Sequence, residues 1–117
     1  MSCRDRLILI LEDPDEEEAL AAIEDFLELK EGFNCGRIVV YRDAVKLLTS
    51  RKVVEALKLA SETNAEVVVV GESLRARSAG TPPGLNVKVE EVDSALAIRD
   101  EDVVIRQGST CPYSVRI

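Results

Sequence analysis

The 117-residue sequence contains no histidine and no tryptophan, and only two tyrosines and two phenylalanines. Without histidine, the chain has no imidazole to titrate near neutral pH or to bind a metal. This absence excludes Ser-His-Asp and Cys-His nucleophiles, histidine zinc centres and the zinc deaminases. Chemistry based on carboxylates, lysine, tyrosine or bound magnesium stays open, but no acid–base pair can be assigned, so the sequence leaves enzymatic activity undecided.

Long apolar segments are also absent. No run approaches the roughly 18 apolar residues of a membrane-spanning helix, and the N-terminus lacks the pattern of a cleavable signal. We therefore expect no membrane association and a cytoplasmic location.

The chain has three cysteines, Cys3, Cys35 and Cys111, with no CxxC spacing. This pattern favours reduced, mostly buried thiols over a zinc site or a disulfide framework. A Cys35–Cys111 bridge is the alternative if the source is a hyperthermophile. The scarcity of Met and Gln and the many Glu, Arg and Val residues are thermophile-like.

The formal net charge of −7 is distributed unevenly. Residues 1–31 hold 11 acidic and 3 basic side chains, whereas residues 32–117 hold 11 and 12. An acidic chain with few aromatic residues lacks both the positive field and the stacking surface that nucleic acids require, so we expect no nucleic-acid partner.

Three short apolar runs, at residues 7–11, 38–41 and 67–70, predict strands that are covered on both faces. Residues 14–31 and 43–64, which connect them, have the spacing of amphipathic helices. Strands joined in this way pair in parallel through right-handed crossovers.

The helix termini carry recognisable caps. Asp13 is the expected N-cap of the first helix, and Glu16 would complete a capping box. The apolar residues of the second helix lose phase near its middle, which predicts a kink or a new start at Thr49 or Ser50. The acidic run at 12–18 is explained by the partial positive charge of a helix N-terminus, so no metal site is predicted.

Beyond residue 84 the pattern changes to alternation, which predicts half-exposed strands near 85–89, 96–98, 103–105 and 113–117, joined by short turns. The expected fold is a single α/β domain over residues 1–117. It has a three-stranded, mainly parallel central sheet with two helices, plus C-terminal antiparallel β strands. If both helices lie on one face, those strands or a second subunit must cover the other, which favours a homo-oligomer.

The segment GESLRARSAGTPPG, residues 71–84, follows the third predicted strand and is the best candidate ligand site. Ligands of α/β proteins bind at the carboxyl ends of the strands, and this segment combines guanidinium groups, hydroxyls and a glycine. The predicted ligand-binding residues are Gly71, Ser73, Arg75, Arg77 and Ser78, for an anionic, phosphate-bearing metabolite or nucleotide. The segment matches neither GxxxxGK[ST] nor GxGxxG, so a solvated connector is the alternative.

The order LILILEDPDEEEALAAI followed by LASETNAEVVVVGES resembles two parts of the universal stress proteins, an adenine-nucleotide-binding α/β family. The match covers about a quarter of the chain, and the GxxG element that the family carries after the glycine is missing here. The resemblance does not identify the family. It implies only that Asp13 and the 71–84 segment flank a nucleotide.

Two functional classes follow. The first is the anion-binding module described above. The second is a non-catalytic interaction or assembly subunit, in which the acidic helix 14–31 meets a basic partner, the chain self-associates and the 71–84 segment only connects.

Overall fold

The computed structural model describes residues 6–12, 15–99, 102–107 and 114–115. Within these ranges the chain forms one sheet in the order β4-β3-β2-β1-β5-β6. The strands are β1 (Arg6–Leu11), β2 (Cys35–Val40), β3 (Ala65–Val70), β4 (Lys88–Glu90), β5 (Val103–Gln107) and β6 (Ser114–Val115). Neighbours from β4 through β5 are parallel, and β6 is antiparallel to β5.

The α/β architecture and the parallel pairing of the three predicted strands are confirmed. The sheet itself is larger than predicted, because five of its strands are parallel rather than three. Residues 96–98 are not a strand, and β5 pairs with β1 in parallel instead of forming a hairpin with them. The predicted 85–89 strand is reduced to β4, which pairs in parallel with β3 at one edge of the sheet.

Two helices follow the predicted segments with adjusted ends: α1 is Glu16–Leu29 and α2 is Arg51–Glu62. The N-cap of α1 is Asp15, which accepts the Glu18 N–H at 2.8 Å while Glu18 Oε1 accepts the Asp15 N–H at 3.0 Å. The same D-x-x-E signature thus operates two residues later than predicted, and Asp13 lies outside the described residues.

The predicted interruption of the second helical segment is confirmed. A 3₁₀ helix, Arg42–Thr49, ends before Ser50, and Ser50 Oγ then caps α2 by accepting the Val53 N–H at 3.3 Å. No helix among the described residues is long and apolar enough to cross a membrane.

Both long helices and the 3₁₀ helix pack on the same face of the sheet. Leu9, Ile38 and Val69 on this face contact a cluster that includes Phe26 and Leu57, all fully buried. A strand order that runs from β1 to β4 in one direction keeps its right-handed crossovers on one side, which accounts for this arrangement.

The opposite face is covered by the connection from β4 to β5. This connection includes the one-turn helix α4 (Val92–Ala95), and it crosses the sheet in the reverse direction. Its apolar residues, Val92, Ala95, Leu96 and Ile98, pack on Ile8, Ile10, Val39, Val68, Val70 and Val104. These sheet residues are at most 2% exposed within one chain. A second subunit is therefore not needed to bury this face.

Two arginines attach the β4–β5 connection to the sheet. Arg6 binds Asp102 through Nε–Oδ1 at 3.2 Å and Nη2–Oδ2 at 2.8 Å, and it also donates to the Ala97 carbonyl. Arg37 binds Glu66 at 2.7 Å and donates to the Ala95 carbonyl at 3.3 Å. The apolar contacts and these arginines together hold the connection against the sheet.

The Asp102 side chain has no exposed surface. Burial raises its pKa, but hydrogen bonds from Arg6 and from the Arg99 N–H outweigh that effect and hold the pKa of Asp102 below its ordinary value of 3.8. A carboxyl group with a lowered folded pKa stabilises the fold above its ordinary pKa, and that stabilisation is lost as the pH falls through the folded pKa.

Asp102→Asn should therefore lower the free energy of unfolding at pH 7 by about 3 kcal/mol, because it leaves Arg6 without its buried counter-charge. Urea unfolding at several pH values measures this. The difference between variant and parent should begin to shrink as the pH falls below 3.8, the ordinary pKa, and should be lost once the pH falls through the lower pKa that Asp102 has in the folded parent. Glu55→Gln, in an exposed pair with Arg51, is the control and should change little. A pH-independent difference would contradict this assignment.

Gly36 of β2 lies where the sheet meets α1. A Cβ atom placed there would approach Phe26 Cζ to 2.6 Å and both the Leu7 carbonyl oxygen and Lys30 Cδ to 3.3 Å. We expect Gly36→Ala to destabilise the fold by about 1–3 kcal/mol through overpacking. Gly32→Ala is the matched control, because no atom lies within 4 Å of the position that its Cβ would take. Urea midpoints of the two variants give the test, and equal midpoints would contradict the close packing of Phe26 on β2.

Candidate functional site

The residues predicted to bind a ligand begin in a helix instead of a loop. The helix α3 (Gly71–Ala76) starts directly after β3. It places Gly71, Ser73 and Leu74 in buried positions and leaves Arg75 exposed. The segment therefore projects from the carboxyl end of β3, as predicted, but its first six residues form about one and a half turns of helix.

Ser73 and Arg77 meet the beginning of the 3₁₀ helix. Ser73 is 5% exposed, and its Oγ accepts the Arg42 N–H at 2.9 Å. This bond supports a left-handed backbone at Arg42, where φ is 55°. The Arg42 guanidinium lies 5.3 Å from the centroid of the Tyr41 ring. The Ser73 side chain thus connects the segment that follows β3 to the backbone that follows β2.

Asp43 lies at the centre of this group of cations. Its Oδ1 accepts from Arg77 Nε at 2.6 Å and lies 3.9 Å from Lys46 Nζ. The hydrogen bond from Arg77 is the largest cause that lowers the pKa of Asp43 below its ordinary 3.8, and the charges of Lys46 and Arg42 act in the same direction. We call Arg42, Asp43, Lys46, Ser73 and Arg77 the Asp43 cluster.

Arg75 does not join the Asp43 cluster. Its Nη2 pairs with Glu91 Oε1 at 3.2 Å, on the side of α3 that faces β4. The space beside Gly71 is narrow, since a Cβ placed on this glycine would lie 3.3 Å from Arg75 Nη1 and 3.4 Å from the Glu91 and Val89 side chains. Four of the five predicted residues therefore divide between two neighbouring positions, with Gly71 and Arg75 at one and Ser73 and Arg77 at the other.

Ser78 follows α3 with a left-handed backbone, at φ 49°, and is exposed. Its N–H donates to the Arg75 carbonyl at 3.3 Å, which closes the end of the helix.

Another carboxyl-end position lies between β1 and β5, where the strand order reverses. Such a reversal is the usual ligand site of open α/β sheets. Here Glu12 pairs with Arg106 at 2.6 Å. The first turn of α1 contributes Glu16, Glu17 and Glu18. This concentration of negative charge opposes an anion at the position where a dinucleotide phosphate would ordinarily bind.

A cavity of about 420 Å³ lies at the opposite, amino edge of the sheet. Arg6, Cys35, Asn64, Glu66 and Arg99 are among the residues that line it. Arg6 and Arg99 both contact Asp102, and Glu66 binds Arg37 and Lys88, so these charges already serve internal pairs. Among the described residues, no three His, Cys, Asp or Glu side chains are grouped so that they could hold a metal ion.

Arg42 and Asp43 were not predicted as site residues, because both lie in the sequence at the junction of a strand and a helix. The contact between Asp43 and Arg77 spans 34 residues. Only the parallel pairing of β2 with β3 indicates that residues following residue 40 and those following residue 70 share one edge of the sheet.

The fold has a known relative in structure. The chain is similar to the solved structure of a protein of unknown function from Methanobacterium thermoautotrophicum, with a TM-score of 0.58 and 19% sequence identity. The similarity covers 73% of this chain and 80% of the other. No protein-family model matches this chain, and no curated protein matches it. The comparison shows the α/β fold and carries no function.

Proposed function

We propose that this protein is a small binding module for an anionic, phosphate-bearing metabolite or nucleotide, held beside Gly71, Ser73, Arg75, Arg77 and Ser78. The observation that carries the proposal is the environment of Asp43. A carboxylate there receives a 2.6 Å bond from Arg77, and its pKa is also lowered by Lys46 and Arg42. Converging guanidinium and ammonium groups are what a phosphate oxygen requires.

The balance of charge around α3 supports the same position. Arg42, Lys46, Arg75 and Arg77 supply four cations there, against the carboxylates of Asp43, Glu72 and Glu91. Glu72 is occupied within the fold, because its Oε1 accepts the Val92 N–H at 2.9 Å. The four cations against three carboxylates leave a local excess of one positive charge in a chain with a net charge of −7.

The ion pairs at this position are easily exchanged for a ligand. The Asp43 side chain is 54% exposed and the Arg75–Glu91 pair is about 65% exposed on both sides. Exposed pairs of this kind contribute little to stability. A phosphate dianion can displace the Asp43 carboxylate by rotation of one surface side chain, and it then accepts bonds from Arg77 and from the Ser78 hydroxyl.

The first test is isothermal titration calorimetry, with inorganic phosphate and with a nucleoside monophosphate as the two ligands. We expect Arg77→Gln to weaken binding about tenfold, since it removes a charge-assisted hydrogen bond. Asp43→Asn should strengthen binding, because it removes the internal competitor while the cations stay in place.

The matched control is Arg51→Gln, which removes an arginine that is 91% exposed on α2, away from the site. It should bind like the parent. The proposal would be contradicted if the Arg75→Ala/Arg77→Ala double variant bound phosphate with the same affinity as the parent, or if Asp43→Asn failed to strengthen binding.

A second candidate, a non-catalytic assembly subunit, is supported by the exposed face of α1. Glu17, Glu24 and Glu28 are exposed, and the helix has no lysine or arginine from residue 16 to residue 29. The negative face therefore lacks the i,i+4 ion pairs that neutralise many surface helices. Such a surface fits a basic partner, and exposed Leu29, at 51%, provides an apolar contact for association or self-association.

Reversal of charge tests this second candidate. We expect the parent to capture a partner from native lysate at low salt and to lose it at high salt. The triple variant Glu17→Lys, Glu24→Lys, Glu28→Lys should not capture this partner. Reversal of Glu55 and Glu62, exposed acids of α2, is the control and should leave capture intact. Equal capture by both variants would exclude α1 as the interface. We propose a cytoplasmic location for either function.

A further inference from the structure

The strand β4 forms one edge of the sheet and leaves one side of its backbone outside the ladder. Its inner neighbour is β3, and among the described residues no strand lies on its outer side. Within the same ranges, residues 88–90 make no backbone–backbone hydrogen bond outside the sheet. An open edge of this kind can pair with an added strand through main-chain hydrogen bonds.

The side chains of β4 alternate between the two faces of the sheet. Lys88 is aligned with Val68, which faces the β4–β5 connection, and Glu90 lies on that same face two residues later. Val89 is aligned with Val69, which faces the helices. Val69 is fully buried, whereas Val89 is 54% exposed because no strand covers it on the outer side. The edge thus presents an exposed apolar side chain between one basic and one acidic side chain.

A second copy of this chain can add to β4 in only a few registers. Two identical strands that pair antiparallel about a two-fold axis perpendicular to the sheet place one residue opposite its own copy. If that residue is Lys88 or Glu90, like charges lie directly opposite each other, which is unfavourable. If it is Val89, each Lys88 lies opposite Glu90 of the other copy, and the two exposed valines meet at the axis. Charge therefore selects the register about Val89.

We propose that β4 is the interface of a homodimer, in which two copies pair antiparallel about Val89 and join two six-stranded sheets into one. A lysine on an edge strand ordinarily opposes further pairing. Here it favours one partner, because Glu90 on the same face supplies the opposite charge only in this register. Lys88 is 65% exposed beside its ion pair with Glu66, so its ammonium group can reach a second carboxylate. The proposal uses no residue of the Asp43 cluster and is independent of the proposed function.

Sedimentation equilibrium of the full chain at a series of concentrations tests the interface. We expect the parent to dimerise, and Lys88→Glu and Glu90→Lys each to weaken dimerisation about tenfold, because each places like charges opposite one another at two symmetric positions. The double variant Lys88→Glu/Glu90→Lys should regain the affinity of the parent, since it only exchanges the two charges. Arg51→Glu, at an exposed position of α2, is the control and should dimerise like the parent.

A mixture of the two single variants tests the register. Lys88→Glu leaves β4 with two carboxylates, and Glu90→Lys leaves it with two ammonium groups. In the register about Val89 every charge of one variant then lies opposite an unlike charge of the other. We expect sedimentation velocity to show a heterodimer in the equimolar mixture at concentrations where each variant alone is monomeric. Its formation also shows that both variants are folded.

Three results would overturn the proposal. The first is a parent that stays monomeric at millimolar concentration. The second is a dimer that neither Lys88→Glu nor Glu90→Lys weakens, which would assign self-association to another surface, such as exposed Leu29 of α1. The third is a mixture of the two single variants that forms no heterodimer, which would exclude pairing about Val89.

Discussion

The structure depends on the burial of both faces of a parallel sheet by a short chain. From Leu7 to Leu11 every side chain of β1 is apolar and at most 2% exposed, so neither face of the central strand tolerates water. One face is covered by α1, α2 and the 3₁₀ helix. The other depends on a short connection, residues 91–99, with only one helical turn. Because this cover is thin, its attachment by Arg6 and Arg37 contributes more to the stability of the fold than surface ion pairs ordinarily do.

The same crossing determines where ligands can bind. By passing from β4 over the second face to β5, the connection brings β5 beside β1 and creates the reversal of strand order at which α/β proteins usually hold phosphates. In this chain Glu12 and the acidic first turn of α1 lie at that position. The cations instead collect one and two strands away, at the ends of β2 and β3, where Asp43 lies between Arg77 and Lys46.

The central strands could be predicted from sequence because their apolar runs are continuous, which only a doubly covered strand tolerates. The region after residue 84 could not, because alternation has two origins. Val89 alternates with charged neighbours since β4 is an edge strand. Leu96 and Ile98 alternate for a different reason: they face the sheet from a connection without strand structure. The short RDED segment suggested a hairpin with residues 96–98, but β5 instead pairs in parallel with β1, almost a hundred residues away in sequence, and antiparallel with β6.

The candidate site was predictable only in part, for a related reason. The position of Arg75 and Arg77 after a buried strand is local information, and it correctly indicated the carboxyl edge of the sheet. Asp43 is the missing member, because its contact with Arg77 exists only once β2 and β3 are adjacent. The split of Arg75 from Arg77 depends on Glu91, which reaches α3 from the far end of β4. Neither contact leaves a pattern in the linear sequence.

The central claim is that one chain covers both faces of a sheet in which β5 is a parallel neighbour of β1. Amide hydrogen exchange at single-residue resolution tests this claim most directly. We expect amides of β1, β2, β3 and β5 to exchange only through global unfolding, with a common opening free energy at protein concentrations where the chain is monomeric. If β5 exchanged much faster than β1, or if protection of Ile8 and Ile10 appeared only at high protein concentration, the thin cover would not bury this face alone, and the central claim would be contradicted.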